Sequence, residues 1–375
     1  MILLGGFLGY VVPFLFILTV LVFVHEMGHY LVARRNGVRV EIFSIGFGPE
    51  IFGWNDKAQT RWKFSLIPLG GYVKMFGDIN AASAPDSAVA QMSPEDRAVA
   101  FPTKRLGQRT WIVAAGPLAN FIFAIVLLAG LFAFVGQPFT PALVGAVQPG
   151  SAAEQAGLQE GDVFLQMGGE GIERFEDIQL IVRLAPEQEL EIVVLRDGAE
   201  VELTATPRRE IYTDNFGNEQ EIGLLGIQGG APQYVKRGPV MAVWEASKET
   251  FALTAGTLKA VGQIIIGSRR AEELGGPLRI AQMSGQVAET GVVSVIWFMA
   301  LLSINLGLIN FFPIPMLDGG HLLFYAIEAI RGRPLGERAQ EYGFRIGLAF
   351  VLGLMLFVTW NDLLRFNLFC TGGMG

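Results

Sequence analysis

The first long apolar stretch of the chain reads FLGYVVPFLFILTVLVFVHEMGHYLVARR over residues 7–35. Its first part, Phe7–Val24, carries no charged side chain and is long enough to cross most of a bilayer. His25 and His29 follow, and on a helix their spacing of four places both imidazoles on one face, about 6 Å apart. Two imidazoles at that separation can share one tetrahedral Zn²⁺. The stretch therefore predicts a membrane helix that carries part of a zinc site.

Glu26, which directly follows His25, supplies a reactive carboxylate to this pattern. In an HExxH sequence the glutamate takes a proton from water at the metal and passes it to a leaving amine. Burying three polar side chains at membrane depth is costly unless they have a function. The alternative is a chance match at a helix end, with the histidines exposed to water. We predict hydrolysis of peptide bonds inside the membrane as the leading function.

The composition is that of a membrane protein. The chain is 51% hydrophobic and 17% charged, with a mean hydropathy of +0.42. Three further apolar segments predict membrane helices, and they are Trp111–Gly136, Val292–Leu317 and Ile346–Trp360. The last of these is short, and Asn361 and Asp362 are expected to end it. The single cysteine, Cys370, excludes an internal disulfide framework.

The distribution of charge predicts the topology. Residues 34–109 hold eleven Lys and Arg against seven Asp and Glu, whereas residues 141–289 hold twelve against twenty-two. The loop 331–345 is basic again. By the positive-inside rule, the first helix runs from outside to inside, and the acidic domain between the second and third helices lies outside.

Two further regions have recognisable patterns before the third membrane helix. Arg39–Phe52 and Arg61–Met75 alternate in character and predict a hairpin, in which Gly70 and Gly71 mark a close backbone approach. Residues 143–206 follow the order of a PDZ module, including a helix over Phe175–Leu184 and a hairpin with an Asp-Gly turn. A small β domain that only packs is the alternative. An apolar segment next to this module is a candidate peptide-binding site, and it consists of Ile222, Gly223, Leu224, Leu225, Gly226 and Ile227.

Residues 234–266 predict an amphipathic helix. Its large apolar side chains recur every seven residues, at Trp244, Phe251, Leu258 and Ile265. Such a helix lies on the outer membrane surface or against the PDZ module, although ordinary core packing would produce the same spacing.

The third membrane segment offers the remaining zinc ligand. A catalytic zinc has three protein ligands and one open position. Asp318 and His321 both follow the apolar run and are the competing candidates. Pro313 and Pro315 break helical hydrogen bonding, which at membrane depth is tolerated only beside a cavity or protein surface.

These residues resemble the site-2 protease family of intramembrane metalloproteases. His25–His29 matches the first motif of the family, Asn310–Gly319 matches the second, and Gly116–Asn120 is a lesser third match. The resemblance covers nearly the whole chain and is closest to the bacterial regulator-of-sigma-E proteases. Many of those carry two PDZ modules, whereas one is found in this sequence.

The resemblance implies one Zn²⁺ per chain, held by His25, His29 and Asp318, with Glu26 as general base. It also implies a membrane-re-entrant hairpin close to the active site. The residues that it implies for substrate binding are Asn305, Asn310, Pro313, Pro315, Gly46, Phe47 and Gly48.

The predicted fold is a polytopic α-helical membrane protein with four transmembrane helices, a re-entrant β-hairpin and an inserted extracytoplasmic PDZ-like α+β domain. A flexible cytoplasmic loop is expected at 81–96. The predicted segments are helix 1 (1–34), the cytoplasmic-side hairpin region (35–110), helix 2 (111–136), the periplasmic PDZ-like domain (137–230), the amphipathic region (231–290), helix 3 (291–317), a cytoplasmic loop (318–345) and helix 4 (346–366).

The predicted substrates are single-pass membrane proteins, such as trimmed anti-sigma factors or remnant signal peptides, cleaved in regulated intramembrane proteolysis. The expected location is the bacterial inner membrane, with the active site towards the cytoplasmic side, in contact with lipid and with no nucleic-acid partner. The PDZ module would either exclude bulky substrate domains or capture C-termini. A zinc transporter and a catalytically silent scaffold are the alternatives from other classes, and neither needs Glu26 within an HExxH pattern.

Overall fold

The computed structural model describes residues 2–78, 92–213, 219–230, 233–267 and 275–371. They form two compact units, which we describe separately: unit 1 comprises 1–131 with 240–375, and unit 2 comprises 132–239. Most of the loop predicted at 81–96 lies outside the described residues.

The elements are numbered in chain order. They are α1 (Ile2–Arg35), β1 (Val40–Asn55), β2 (Arg61–Met75), α2 (Pro94–Val99), α3 (Leu106–Phe134), β3 (Gln137–Phe139), β4 (Val144–Val147), α4 (Ala152–Gln155), β5 (Val163–Met167), β6 (Glu170–Gly171), α5 (Phe175–Leu184), β7 (Leu190–Arg196), β8 (Ala199–Ala205), β9 (Arg208–Thr213), β10 (Glu219–Leu224), β11 (Ile227–Gly229), β12 (Gln233–Val235), α6 (Pro239–Ile265), α7 (Pro277–Thr290), α8 (Val292–Phe311), α9 (Asp318–Arg331) and α10 (Glu337–Thr371).

Four helices of the described chain are long and apolar enough to cross a membrane, which confirms the four predicted membrane helices. The spans are Gly9–Arg35 in α1, Leu106–Phe134 in α3, Val292–Phe311 in α8 and Arg338–Leu364 in α10. The fourth span is longer than the predicted apolar segment 346–360, because the helix already begins at Glu337 and continues past Trp360.

The prediction that Asn361 and Asp362 end the fourth helix is wrong. Asp362 instead caps α7, since its carboxylate accepts hydrogen bonds from the backbone N–H groups of Gly276 and Arg279, each at 3.1 Å. The first N–H groups of a helix have no partner within the helix, and a carboxylate satisfies them. Asp362 therefore marks a contact between two helices.

The third membrane helix ends at Phe311, six residues before the end of the apolar run. Phe312 has an extended backbone, with φ −61° and ψ 141°. Pro313 and Pro315 cannot donate the hydrogen bonds that would continue the helix. The chain becomes helical again at Asp318, so the segment 318–345, predicted as a loop, contains the helix α9 and the start of α10.

The predicted hairpin is present, and its sheet is wider than two strands. Residues 42–45 of β1 pair with residues 71–74 of β2 and also with residues 61–64, while residues 50–55 pair with residues 61–65. Both long strands therefore bend back, and four segments lie side by side. Residues 71–75 form one margin of this sheet, since their pairing within the described residues is to β1 alone.

A shared core fixes this sheet against α1, α3 and α9. Its buried members come from all four elements and from the segments between them, and they are Ala33, Val38, Val40, Met75, Phe101, Ile112, Val113 and Tyr325. Because these elements share one packed core, the residues that they carry are held at fixed separations.

Unit 2 has the element order predicted for a PDZ module. Its four-stranded sheet has the order β6-β5-β7-β8, and β4 pairs with β11. Asp197 and Gly198 form the predicted turn with φ of 52° and 83°. The core includes Val144, Phe164, Met167, Ile178, Ile192 and Val194.

A buried carboxylate directly before β5 pairs with the arginine at the end of β7. Asp162 is 1% exposed and accepts two hydrogen bonds from Arg196, each at 2.7 Å. Burial raises the pKa of Asp162, but the bonds from Arg196 and from the Gln159 backbone outweigh burial and hold that pKa below its ordinary 3.8. The pair is therefore charged at neutral pH.

The helix predicted over residues 234–266 begins later than expected. Tyr234 and Val235 belong to β12, which pairs with β3, and α6 starts at Pro239, a residue suited to the first turn of a helix. Small residues of α6 are buried, whereas the four large residues spaced by sevens are exposed, so they form no part of a core: Trp244, Phe251, Leu258 and Ile265.

Candidate metal centre

Two histidines one turn apart on α1 form the first half of the site. The Nε2 atoms of His25 and His29 lie 3.3 Å apart. Each residue is only 9% exposed. Both rings project from the same face of a continuous helix, as the spacing of four requires.

Asp318 approaches the same point from a distant part of the chain. Its Oδ2 atom lies 3.1 Å from Nε2 of His25 and 3.4 Å from Nε2 of His29. The ligand atoms of the three residues all lie within 4.8 Å of one another. The structure therefore brings the three predicted zinc ligands together.

Glycines allow Asp318 to reach this position. A Cβ at Gly319 would lie 2.2 Å from the carbonyl oxygen of Phe312, and one at Gly320 would lie 2.5 Å from that of Ile314. Real Cβ atoms do not approach backbone this closely, so the start of α9 needs glycine at both positions to pack against the segment that precedes it. The Asp-Gly-Gly sequence thus aims the carboxylate back towards α1.

The three residues fit a zinc ion. Oδ2 of Asp318 is buried without a hydrogen-bond partner among the described residues, although two imidazole nitrogens face it. A Cβ at Gly116 on α3 would lie 2.3 Å from Nε2 of His29 and 2.9 Å from Nε2 of His25, so a side chain there would crowd the ligand atoms. Two imidazoles and one carboxylate are a common catalytic zinc set with one position left open.

Glu26 lies beside these ligands and outside the ligand group. The backbone of Val73 lies close to its carboxylate. Gly71, in the same margin of the hairpin sheet, approaches so closely that a Cβ would lie 3.2 Å from Cγ of Glu26. The helix and the sheet margin together hold the carboxylate next to the metal ligands.

The competing ligand, His321, stands apart from the ligand group. Its ring packs edge-on against Phe324, with 6.5 Å between centroids. A spacing of three from Asp318 places it on roughly the same side of α9, but the described ligand set comprises His25, His29 and Asp318.

The outer ring nitrogens of both histidines face α3. Nδ1 of His29 lies 2.9 Å from the carbonyl oxygen of Ile112. Nδ1 of His25 lies 3.1 Å from the side-chain amide of Asn120. Partners of this kind orient metal ligands and fix their tautomers.

Two of the predicted substrate-binding residues make contacts away from the ligands. Oδ1 of Asn305 accepts a hydrogen bond of 3.3 Å from Thr257 of α6, and the amide of Asn310 donates to the carbonyl of Leu306 on its own helix. Pro315 lies in the turn before Asp318, where its carbonyl touches the backbone of Gly347 on α10.

The predicted segment Gly46–Gly48 lies where β1 bends in the hairpin sheet. Gly46 and Gly48 have φ of 88° and 86°, which only glycine adopts readily. Phe47 is exposed and stacks on Tyr72, with 6.1 Å between ring centroids. The structure places this segment against residues 65–72, and Gly71 and Val73 are the hairpin residues that contact Glu26.

The candidate peptide-binding segment of unit 2 lies close to α5. A Cβ at Gly223 would lie 2.1 Å from the carbonyl oxygen of Val182, and Leu225 is 2% exposed. The carbonyls of Leu225 and Gly226 already accept hydrogen bonds from Ala153 and Gln148. These contacts pack the segment against other parts of unit 2.

Sequence reasoning did not assign Gly71 or Val73 to the site. The available signal was the pair Gly70-Gly71, since consecutive glycines in a strand mark a close backbone approach. The sequence did not show what approached, because Glu26 lies 45 residues earlier in the chain.

A metalloprotease embedded in membrane helices is the class of protein that this arrangement defines, since a zinc ligand set and a free carboxylate meet on helices of membrane-spanning length. Residues 13–354 match the model of peptidase family M50. The chain belongs to peptidase family M50, the site-2 protease family, and it is a multi-pass zinc metalloprotease.

Relatives of similar length are also named as metalloproteases. One relative is a protein from Agrobacterium fabrum that is named "putative zinc metalloprotease". It is 49% identical over 364 residues, which span 96% of this chain and 97% of the relative. The metalloprotease MmpA of Caulobacter vibrioides is 39% identical over 389 residues, which span 97% of this chain and 98% of the relative.

One solved structure resembles a smaller part of the chain. It is the PDZ domain of an SdrC-like protein from Listeria monocytogenes. The match spans 24% of this chain and 88% of that domain, at 13% identity and a TM-score of 0.19.

Proposed function

We propose that this protein cleaves peptide bonds within the transmembrane segments of single-pass membrane proteins. The observation that carries the proposal is that His25, Glu26 and His29 lie inside the span Gly9–Arg35. Asp318 joins them from the chain that follows the third span. A ligand set at this depth serves a substrate whose scissile bond also lies there.

The chemistry assigns separate roles to the ligands and to Glu26. Zinc, held by His25, His29 and Asp318, supplies Lewis-acid chemistry that acidifies water and polarises a peptide carbonyl. Glu26 takes a proton from water and delivers it to the leaving amine. The adjacent strand fixes the direction of the Glu26 carboxylate.

The margin of the hairpin sheet provides a place for the substrate. A transmembrane helix hides its carbonyls in hydrogen bonds, so it must unwind before cleavage. An extended segment can add alongside residues 71–75, which run past Glu26 and which, within the described residues, pair with β1 alone. We expect helix-breaking residues in the substrate to favour cleavage.

Gly71→Ala tests this placement. The new methyl group would lie 2.7 Å from the carbonyl oxygen of Ser44, 2.8 Å from Val22 and 3.2 Å from Glu26. We expect the strand to move away from the carboxylate, so kcat should fall about tenfold to 100-fold, as small misplacements near the chemistry do. Zinc content should stay at the parent level.

The control for this variant is Gly107→Ala, because nothing lies within 4 Å of a Cβ at Gly107. Parent-like kcat for Gly71→Ala would show that the strand does not position Glu26. Loss of zinc in Gly71→Ala would point instead to a general disruption of the site.

The proposed substrates are trimmed anti-sigma factors or remnant signal peptides, processed in regulated intramembrane proteolysis. The proposed location is a bacterial inner membrane, with unit 2 in the periplasm and the active site towards the cytoplasm. The charge distribution supports this topology, since the region after the first span is basic and the region 141–289 is acidic.

Cysteine labelling in intact cells tests the topology. With Cys370 removed, we expect a cysteine at Glu200 in unit 2 to react with an impermeant thiol reagent. A cysteine at Glu95 in α2 should react only after the membrane is opened. Both positions are exposed, so accessibility within the fold is matched. The opposite pattern would invert the topology.

Cleavage by purified protein in proteoliposomes tests the function itself. The substrate is a single-pass model protein with a short extracytoplasmic stump, and mass spectrometry locates the cut. Cleavage inside the apolar segment is expected. Cuts confined to water-exposed segments would contradict intramembrane proteolysis while leaving the protein a metalloprotease.

A further inference from the structure

Asn120 is a buried polar residue that the proposed chemistry leaves unused. It lies on α3 and is 0% exposed. Its amide nitrogen lies 3.1 Å from Nδ1 of His25, while its Oδ1 has no hydrogen-bond partner among the described residues. A buried unpaired oxygen next to a metal-ligand histidine requires an explanation.

The tautomer of His25 determines whether the amide nitrogen or the amide oxygen of Asn120 faces Nδ1. Nε2 of His25 faces Oδ2 of Asp318, so Nε2 is the atom that binds a metal. A neutral imidazole whose Nε2 lone pair binds a metal carries its proton on Nδ1, which is then a donor. In a carboxamide side chain the acceptor is the oxygen.

We propose that Asn120 is a positioning residue for the zinc site, in which Oδ1 accepts a hydrogen bond from Nδ1–H of His25. This inference rests on the proposed role of His25 as a ligand. A half-turn of the carboxamide exchanges its nitrogen and oxygen and gives the oxygen its missing partner. The amide nitrogen of Asn120 then has no partner in place of the oxygen. The hydrogen bond from Nδ1–H of His25 to Oδ1 of Asn120 is the stronger of the two arrangements, because a cation bound at Nε2 polarises the imidazole.

The same helix already provides an acceptor to the other histidine. Nδ1 of His29 faces the carbonyl oxygen of Ile112 at 2.9 Å. With Oδ1 of Asn120 at His25, α3 orients both imidazoles, one through its backbone and one through a side chain. Each bond fixes the tautomer that leaves Nε2 free for the metal.

Contacts of the neighbouring residues hold Asn120 beside the ligand histidines. Ser303 of α8 donates a hydrogen bond of 2.8 Å to the backbone carbonyl of Asn120. Gly116 lies one turn earlier and faces both Nε2 atoms. The Gly116–Asn120 motif therefore combines two tasks, since the glycine leaves room for the ion and the asparagine orients a ligand.

Two substitutions of similar size separate the acceptor from mere packing. Asn120→Asp keeps an acceptor, whereas Asn120→Leu removes it. The measurement is the zinc dissociation constant of the full-length protein in detergent, by competition with a chromogenic chelator. We expect Asn120→Asp to bind zinc within about threefold of the parent or more tightly, and Asn120→Leu to bind about 10–100-fold more weakly.

A spectroscopic readout and a control accompany the affinities. Co²⁺ bound to the parent and to Asn120→Asp should give the same absorption bands, and Asn120→Leu should give altered bands. Gly107→Ala on α3 is the control and should keep parent affinity, because nothing lies within 4 Å of a Cβ at Gly107. If Asn120→Leu does not fold, as judged by gel filtration and thermal unfolding, Asn120→Ser replaces it, because serine is too short to reach Nδ1.

The outcomes that overturn the proposal are distinct. Parent affinity in Asn120→Leu, or in Asn120→Ser where serine replaces it, would show that Asn120 does not position His25. Equally weak zinc binding in Asn120→Asp and in Asn120→Leu (or Asn120→Ser) would show that the amide N–H, rather than an acceptor, is required. Unchanged zinc affinity in His25→Ala would refute the ligand assignment itself, and with it the proposed function.

Discussion

Glu26→Gln is expected to abolish proteolysis while zinc stays bound. The amide keeps the shape of the side chain and its contact with the strand, but it cannot take a proton from water. General-base catalysis typically contributes about 10²–10⁴-fold, so kcat should fall by at least 10²-fold. The measurements are single-turnover cleavage of a model transmembrane substrate and the zinc content of the purified variant.

The matched control for this variant is Glu95→Gln, which removes an exposed carboxylate of α2 and should leave kcat unchanged. Residual turnover within about tenfold of the parent would contradict the role of Glu26 as general base, given the usual size of that contribution. Loss of zinc along with activity would instead make Glu26 a ligand.

Asp318→Ala is expected to lose zinc and activity together, whereas His321→Ala keeps zinc. Oδ2 of Asp318 lies within 3.4 Å of both Nε2 atoms, and its removal leaves a two-histidine remnant. Loss of a ligand should cost more than the roughly 10–100-fold that loss of an outer-shell partner costs. The measurements are the zinc dissociation constant and cleavage of the model substrate.

His321→Ala serves as the control because it removes a nearby imidazole that lies outside the described ligand group. If His321→Ala lost zinc and Asp318→Ala retained it, the ligand assignment would be wrong. If both variants retained zinc, the two histidines would hold the metal with a ligand other than these two residues.

Much of the fold could be predicted from local patterns. Uncharged runs long enough to cross a bilayer predicted four membrane helices, and the Asp-Gly turn between alternating segments predicted the hairpin of β7 and β8. These features depend on neighbours in the chain. The periodicity of residues 234–266 did not reveal that Tyr234 and Val235 pair with β3, because strand pairing depends on a segment about a hundred residues earlier.

Polar residues within apolar runs predicted helix ends less well than the uncharged runs predicted the helices themselves. Asn361 and Asp362 look like a local helix end, yet the carboxylate of Asp362 caps α7, a helix more than seventy residues earlier. A sequence pattern cannot show which helix receives a cap, because the receiving N–H groups come from a distant segment. The same limitation applied to Gly71, whose closeness to Glu26 depends on the folding of the hairpin sheet.

The sequence by itself determined the chemistry of this protein. The HExxH spacing predicted two ligands and a neighbouring carboxylate, because residues four apart share a helical face whatever surrounds the helix. Tertiary structure decided how the site is completed and held. Asp318 lies 289 residues beyond His29, and only the packing of α1 against α9 and the close packing at Gly319 bring its carboxylate to the imidazoles. The acceptors on α3 and the strand beside Glu26 come from other segments for the same reason, since a zinc site needs groups from several directions and one helix face offers only one.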